Sequence, residues 1–364
     1  MKPHPRSQTF YWKCDRPAAF HGTEETRLDE TRLAAQLADV LHKQFPGRVD
    51  QITVAASQGN HRTFTARIDG TTRFVRIEDG PEGDDYIEVE SALLNRLGAL
   101  GLPSPHVYAV DASRRNAPFA WQVMDLLPFR DLNHFYKAGT LRLGDVAETI
   151  GRDAARWQVL EVGGFGPFDP AALRDSGSLR GFHTRYADYF HLHLERHLGF
   201  LAEREFLSRE EVAAMRREIE RHAGLLDLPS ACLVHKDLAL WNVLGTADRV
   251  AAYIDWDDAI GGDPVDDLSL LGCFHDAETL RRAVTGYEQV RPLPSEFQRR
   301  FWLHLLRNLL MKSVIRVGAG YFDRGSTFFL TGGGSGGGDL RQFTLDRLRT
   351  ALAGLRDDLP LDSL

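Results

Sequence analysis

The stretch HKDLALWNVLGTADRVAAYIDWDDAIGGDPVDD, residues 235–267, decides how this 364-residue chain is read. Asp237 and Asn242 lie five residues apart in a segment with loop character, and Asp255 follows Asn242 by thirteen, at the end of the apolar run 250–254. A carboxylate that can orient a hydroxyl, then an amide and a second carboxylate with hard oxygen atoms, is the set that phosphoryl transfer on a magnesium nucleotide needs. Taken singly, a loop aspartate is more often a cap and an asparagine a turn residue. Their joint spacing lifts them to a catalytic reading.

Working outward, 43% hydrophobic and 26% charged residues describe an ordinary globular chain, long enough for two lobes. The net charge of −7, from 44 Lys plus Arg against 51 Asp plus Glu, argues against a general nucleic-acid surface. Cys14, Cys232 and Cys273 are odd in number and scattered, which fits unlinked thiols in a reducing compartment better than a disulfide or metal framework. The N-terminus has no contiguous apolar segment, and the run 303–314 is broken by His304, Arg307, Asn308, Lys312 and Ser313. A cytoplasmic location without a membrane signature is expected.

Periodicity divides the chain. Asp29 could cap a helix whose Leu33, Leu37, Val40 and Leu41 share one face. Strands are expected at 51–56, 63–68 and 72–77, the last two around the Asp69-Gly70 turn, with a helix at 86–97 and a strand at 120–124. Pro128 closes the candidate connector 124–128. Helical patterns follow at 143–160, 184–198, 209–226 and 276–290, with a capping box at Ser208 and Glu211 and another helix start at Ser295 and Gln298. The expected division is an N-terminal extension and packing helix (1–45), a small lobe (46–127) and a large lobe (128–364). The glycine-rich loop 331–338 lacks the Lys-Ser/Thr ending of a P-loop and reads as flexible. Between two strands, Ser57, Gly59 and Asn60 could bring backbone donors over phosphates.

These motifs resemble the aminoglycoside phosphotransferase and choline-kinase-like superfamily over residues 52–270, most closely in the 235–268 region. The resemblance implies an α+β, bilobal, protein-kinase-like fold, with a small mixed β-sheet lobe, a larger predominantly helical lobe and nucleotide between them. It makes Asp237 the catalytic residue, His235 a support of the catalytic loop, and Asn242 and Asp255 the ligands of Mg2+. Arg76 takes the place of the phosphate-contacting cation and Glu90 that of its helix partner, with Glu88 the closest rival. Met124, Asp125 and Leu126 fall in the nucleotide hinge, although Met124 also reads as plain core. Asp257 is divided between a metal or acceptor role and a structural one. His183, Arg185, Tyr186, Asp188 and Tyr189 become the candidate acceptor wall.

Two positions depart from the pattern. Lys236 stands where a small residue is common, and could contact phosphate or point into solvent; Ala239 replaces a polar or basic residue. The resemblance implies transfer of a terminal phosphoryl group from ATP, with GTP as the other candidate donor, to a hydroxyl-bearing small molecule such as an antibiotic or sugar-like metabolite. Asp263, Asp266, Asp267, Asp276 and Glu278 could neutralise an amino-bearing acceptor, while Asp263 and Asp267 also match scaffold positions. The competing readings are a noncatalytic nucleotide-binding regulator and a protein kinase.

Overall fold

A computed structural model describes residues 6, 10–16, 30–55, 62–80, 83–324, 328, 330 and 339–364. Strands β1 (Val49–Val54), β2 (Arg62–Ile68), β3 (Thr71–Glu78), β4 (Val107–Asp111) and β5 (Ala120–Asp125) form a sheet in the order β1-β2-β3-β5-β4. Asp69 and Gly70 both have positive φ, 49° and 79°, as a two-residue hairpin with a type I′ turn requires. The strand directions are not mixed: every pairing is antiparallel, because β5 enters between β3 and β4 and runs against both. Strand β4 escaped the sequence reading. It is a short edge strand whose Tyr108 and Val110 are exposed, so it carries no inward apolar alternation.

The period of two sorts the sheet's side chains. Phe64, Ala66, Val75, Ile77, Trp121 and Val123 bury one face against Leu33, Leu37, Val40 and Leu41 of α1 (Glu30–Gln44), each worth about 1.5–3 kcal/mol for the large aliphatics. The opposite phase of the same strands carries Phe74, Arg76, Gln122 and Met124. These face α2 (Ile87–Ala99) and the rest of the chain: Ser91 on α2 donates to Gln122 at 2.6 Å. Asp29, Ser57, Gly59, Asn60 and the loop 331–338 lie outside the described residues.

Beyond β5 the chain is mainly helical. Helices Leu143–Trp157 and Ala277–Glu288 pack to backbone contact: a Cβ on Gly151 would stand 1.8 Å from the Ala283 carbonyl oxygen, and one on Gly286 1.8 Å from that of Glu148. The helix expected over 184–198 is two pieces, Tyr186–Phe190 and Leu194–Glu203, broken at His193 with φ 58°. The Ser208–Glu211 capping box forms, with bonds of 3.1 and 2.8 Å. Ser295 does not cap the next helix, which starts at Phe297 after Glu296 in a left-handed conformation.

That helix, Phe297–Gly318, is buried on nearly every side. Burial all round explains why its apolar residues follow no single stripe, and it obliges its polar residues to find partners. Arg300 reaches Asp263 at 2.9 Å, Asn308 reaches Asp266 at 2.7 Å, and Arg307 donates to the carbonyls of Phe190 and Leu192. Among the described residues no helix is long and apolar enough to cross a membrane.

Candidate active site

A short hairpin explains the spacing of the central motif. Strands Val243–Thr246 and Arg249–Tyr253 pair antiparallel, with Val243 opposite Tyr253. The Ile254 amide donates to the Asn242 carbonyl at 3.0 Å. Asn242 and Asp255 are thus neighbours across the open end of the hairpin. The loop before it is tied down twice. Asp267 accepts the amides of His235 and Lys236 at 2.9 and 3.1 Å. His235 accepts the Asp237 amide at Nδ1, 3.3 Å, and donates from Nε2 to the Ile254 carbonyl at 3.0 Å. Burial lowers the His235 pKa, which keeps the ring in the neutral form those bonds need.

Lys236 and Asp255 both hold left-handed backbone, with φ of 68° and 61°. Non-glycine residues there store strain on the order of 1–3 kcal/mol each, tolerated where surrounding bonds over-determine them. The consequence is convergence. Asn242 Nδ2 donates to the Asp237 carbonyl at 2.8 Å and to its Oδ2 at 3.1 Å. Its amide oxygen is then the atom left for a hard cation, together with the Asp255 carboxylate.

From the sheet side, Arg76 Nη1 donates to Glu90 Oε2 at 2.6 Å. Gln122 Nε2 and the Trp256 amide also donate to Glu90, at 2.9 and 3.2 Å, so the carboxylate is fixed on both oxygens. Arg76 pairs with Glu78 as well and comes within 3.8 Å of Asp255. Glu88, the rival partner, points elsewhere and binds Arg174 at 2.6 Å. Met124, Leu126 and Leu127 line a cavity of about 600 Å³ that Asp237, Asn242 and Asp255 also line. Asp125 also touches that cavity, and its carboxylate is bound by Arg73, Tyr108 and the His106 amide.

The largest surprise is the N-terminal segment. Lys13 Nζ lies 2.8 Å from Asp237 Oδ2, 3.0 Å from Asp255 Oδ2 and 3.0 Å from Asp258 Oδ2. Arg16 pairs with Asp257 and stands 3.5 Å from Asp258. Arg6 binds Asp257 at 2.9 Å, accepted also by its carbonyl at 2.7 Å. Asp257 is therefore engaged by arginines. Asp258, which sequence reasoning passed over, is the third carboxylate at Lys13. Both Asp258 oxygens are buried without a hydrogen bond, and burial pushes its carboxyl up despite Lys13 and Arg16. Lys312, from the helix Phe297–Gly318, reaches Asp237 Oδ1 at 3.3 Å. Burial alone would raise the Asp237 pKa; Lys13 and then Lys312 hold it well below the usual carboxylate range.

The expected acceptor wall divides. Tyr186 and Tyr189 are buried, and Tyr189 stacks on Tyr11 at 4.8 Å and donates to its carbonyl at 2.9 Å. His183 is half-buried, 6.0 Å from the Tyr189 ring. Arg185 and Asp188 do not join them; they line a separate surface hollow with His191 and Asp227. Lys236 takes neither expected position: it is buried, donating to Asp266 at 2.8 Å, Asn308 at 2.9 Å and Tyr11 at 3.2 Å. Asp263, Asp266 and Asp267 are likewise fully buried scaffold, and Asp276 caps the helix Ala277–Glu288. The three buried aspartates are not free to neutralise an acceptor. No sequence signal pointed to Lys13, Arg16 or Lys312, since each sits outside any local motif.

Residues 51–302 match the phosphotransferase enzyme family. Viomycin phosphotransferase of Streptomyces vinaceus is 34% identical over 76 residues, 19% of this chain; the match spans only about a quarter (26%) of that protein's length. The crystal structure of aminoglycoside phosphotransferase APH(4)-Ia superposes with a TM-score of 0.61 at 17% identity, covering 88% of this chain and 98% of its own. A protein from Thermobifida fusca, provisionally named a fructosamine-3-kinase, gives 0.60 at 22% identity, covering 89% and 99%. At these identities the structures establish the α+β kinase-like fold alone. The sequence match runs through more than half the chain, and its span takes in Asp237, Asn242, Asp255 and the Arg76–Glu90 pair, so this chain belongs to the phosphotransferase enzyme family.

Proposed function

We propose that the protein transfers the terminal phosphoryl group of a nucleoside triphosphate to a hydroxyl of a small molecule. One observation carries this reading: Asp237, Asn242 and Asp255 line one cavity together with the Glu90-anchored Arg76, whose guanidinium lies 3.8 Å from Asp255. The acceptor oxygen attacks the terminal phosphorus, the bond to the bridging oxygen breaks, and the nucleoside diphosphate leaves with the electron pair. Asp237 orients the hydroxyl and takes its proton. Arg76, held rigid by Glu90, and Lys312 face the phosphate side with positive charge. Met124 and Leu126 offer apolar contact to the base, and ATP is the donor this reading names first.

A divalent cation suits the residues present. Hard oxygen donors at Asn242 and Asp255, with the carboxylates of Asp237 and Asp258 beside them, match magnesium and not a thiolate-seeking metal. Such an ion would supply positive charge to offset the negative charge that develops on the transferring phosphoryl group. Asn242 and Asp255 would hold it.

The acceptor is read as an antibiotic or sugar-like metabolite with amino groups. APH(4)-Ia has been crystallised with ADP and hygromycin B, and here the acceptor side is acidic enough to engage Lys13, Arg6 and Arg16 at once. Nucleotide supply and three free cysteines go with a cytoplasmic location. The deciding experiment is a metabolite-wide screen with magnesium and ATP, read by product mass spectrometry. A product heavier by one phosphoryl group supports the reading. Magnesium-dependent ATP binding with no phosphorylated product from any acceptor would favour the noncatalytic regulator.

A further inference from the structure

The segment 10–16, Phe-Tyr-Trp-Lys-Cys-Asp-Arg, makes no part of the sheet or its packing helix; it is threaded into the site described above. Tyr11 is only 1% exposed. Its ring lies between Tyr189, stacked at 4.8 Å, and the Arg307 guanidinium, 3.5 Å from the ring centre. Trp12 packs under Lys312 at 4.5 Å. Asp15 is bound by His197 at 2.8 Å and folds back to the Tyr11 amide at 3.0 Å, fixing a single turn. That turn delivers Lys13 to three carboxylates, two of which, Asp237 and Asp255, are the groups the transfer reaction uses.

Lys13 and a nucleotide-bound metal ion cannot share these oxygens. Magnesium binds carboxylate oxygen at about 2.0–2.1 Å, whereas Lys13 Nζ already stands 3.0 Å from Asp255 Oδ2 and 2.8 Å from Asp237 Oδ2. A dication on the same Asp255 oxygen would press against an ammonium with no shielding atom between them. The hydroxyl that Asp237 should receive would have to displace the same ammonium, which already donates to Asp237 Oδ2. Tyr11, Trp12 and Arg16 meanwhile fill the space beside Tyr189 and Asp257, where an acceptor would lie.

We propose that residues 10–16 are an autoinhibitory strap, with the Lys13 ammonium standing in for the metal ion and the Tyr11–Trp12 pair standing in for the acceptor. The proposal rests on the phosphotransferase reading of Asp237 and Asp255. The strap is held by ion pairs, ring stacking and one turn, all reversible, so it leaves when magnesium nucleotide and acceptor bind. Its seated fraction sets the resting affinity: a strap in place nine-tenths of the time weakens apparent magnesium-nucleotide binding about tenfold.

The test uses the full chain and magnesium-ADP as the probe. By calorimetry, Lys13→Met should bind magnesium-ADP about tenfold more tightly than the parent, while ADP in EDTA changes less than about twofold by the same competition logic. Equal or weaker magnesium-ADP binding by Lys13→Met overturns the strap and leaves the phosphotransferase reading standing. Absence of magnesium-dependent ADP binding in both proteins overturns both. An independent arm needs no variant. The rate of Lys13 acetylation in the parent, followed by peptide mass spectrometry, should rise several-fold on adding magnesium-ADP; an unchanged or falling rate overturns the strap.

Discussion

Lys13 and Asp237, 224 residues apart in the chain, stand 2.8 Å from one another in a site where Asp237 is buried and Lys13 half-buried. Such a pair is expensive to bury, and breaking it strands a charge. Its second and third carboxylates, Asp255 and Asp258, and the nearby Lys312 make it a network of alternating sign instead of an isolated bridge. A network of this kind can exchange one cation for another without leaving its carboxylates bare. That is the property a metal-dependent site with an internal occupant would need.

Asp237→Asn keeps the shape and the Asn242 contact while removing the proton acceptor. Turnover should fall by about 10²-fold or more, the scale of positioned proton transfer, with nucleotide affinity changed far less. Rates of phosphorylated-product formation by folded parent and mutant, at matched magnesium saturation, check this. Near-parent turnover would remove Asp237 from the mechanism.

Lys312→Met probes the cation that the loop itself lacks at Ala239. Lys312 is buried, lines the cavity and lies 3.3 Å from Asp237 Oδ1. Removing a preorganised charge at the site of transfer should cost on the order of 10²-fold in kcat, and Lys312→Arg should recover part of it. A loss confined to KM would instead make Lys312 a binding residue.

Much of this site was legible because its parts are local. Asn242, the hairpin and Asp255 occupy one short run of chain, and the Asp69-Gly70 turn set the β2–β3 register directly. Arg76 and Glu90 were legible through the family resemblance, and the phase of strand and helix places both on the inward side. What stayed hidden depends on contacts across the whole fold. Lys236 looks like a surface lysine until Asp266, Asn308 and Tyr11 are brought around it. Arg185 and Asp188 share a helix start with Tyr186 and Tyr189, but helical geometry turns them to another surface. Lys13 belongs to no periodic pattern, and nothing in its neighbours announces where it will dock.

Asp255→Ala should abolish the difference between nucleotide binding with and without magnesium. Asp255 has 23% of its side chain exposed, so the substitution leaves no large cavity and the fold should survive. Titrating ADP with and without magnesium separates metal engagement from unfolding. Parent-like magnesium dependence in the variant would rule out Asp255 as the metal carboxylate.

His197 should make the fold acid-sensitive between pH 6.5 and about 4. Burial, joined by the Arg307 charge and only partly opposed by Asp15, lowers its pKa from 6.5 to about 4. In the folded chain the neutral ring donates from Nε2 to Asp15 and accepts from Arg307 at Nδ1, 3.1 Å away. The unfolded chain binds a proton below its ordinary pKa, so the contribution is intact above pH 6.5 and lost progressively as pH falls toward 4. The loss is bounded at about 3 kcal/mol by the linkage of one proton. His275, lowered to about 4 by burial, adds a second loss over the same window. His197→Gln can keep the Asp15 contact but cannot be charged, so the unfolding free energy from urea titrations at pH 7 and pH 4.5 should fall less for this variant than for the parent. An equal fall in both proteins would show that His197 does not govern the acid limb, and would assign it to His275 or to the carboxylates.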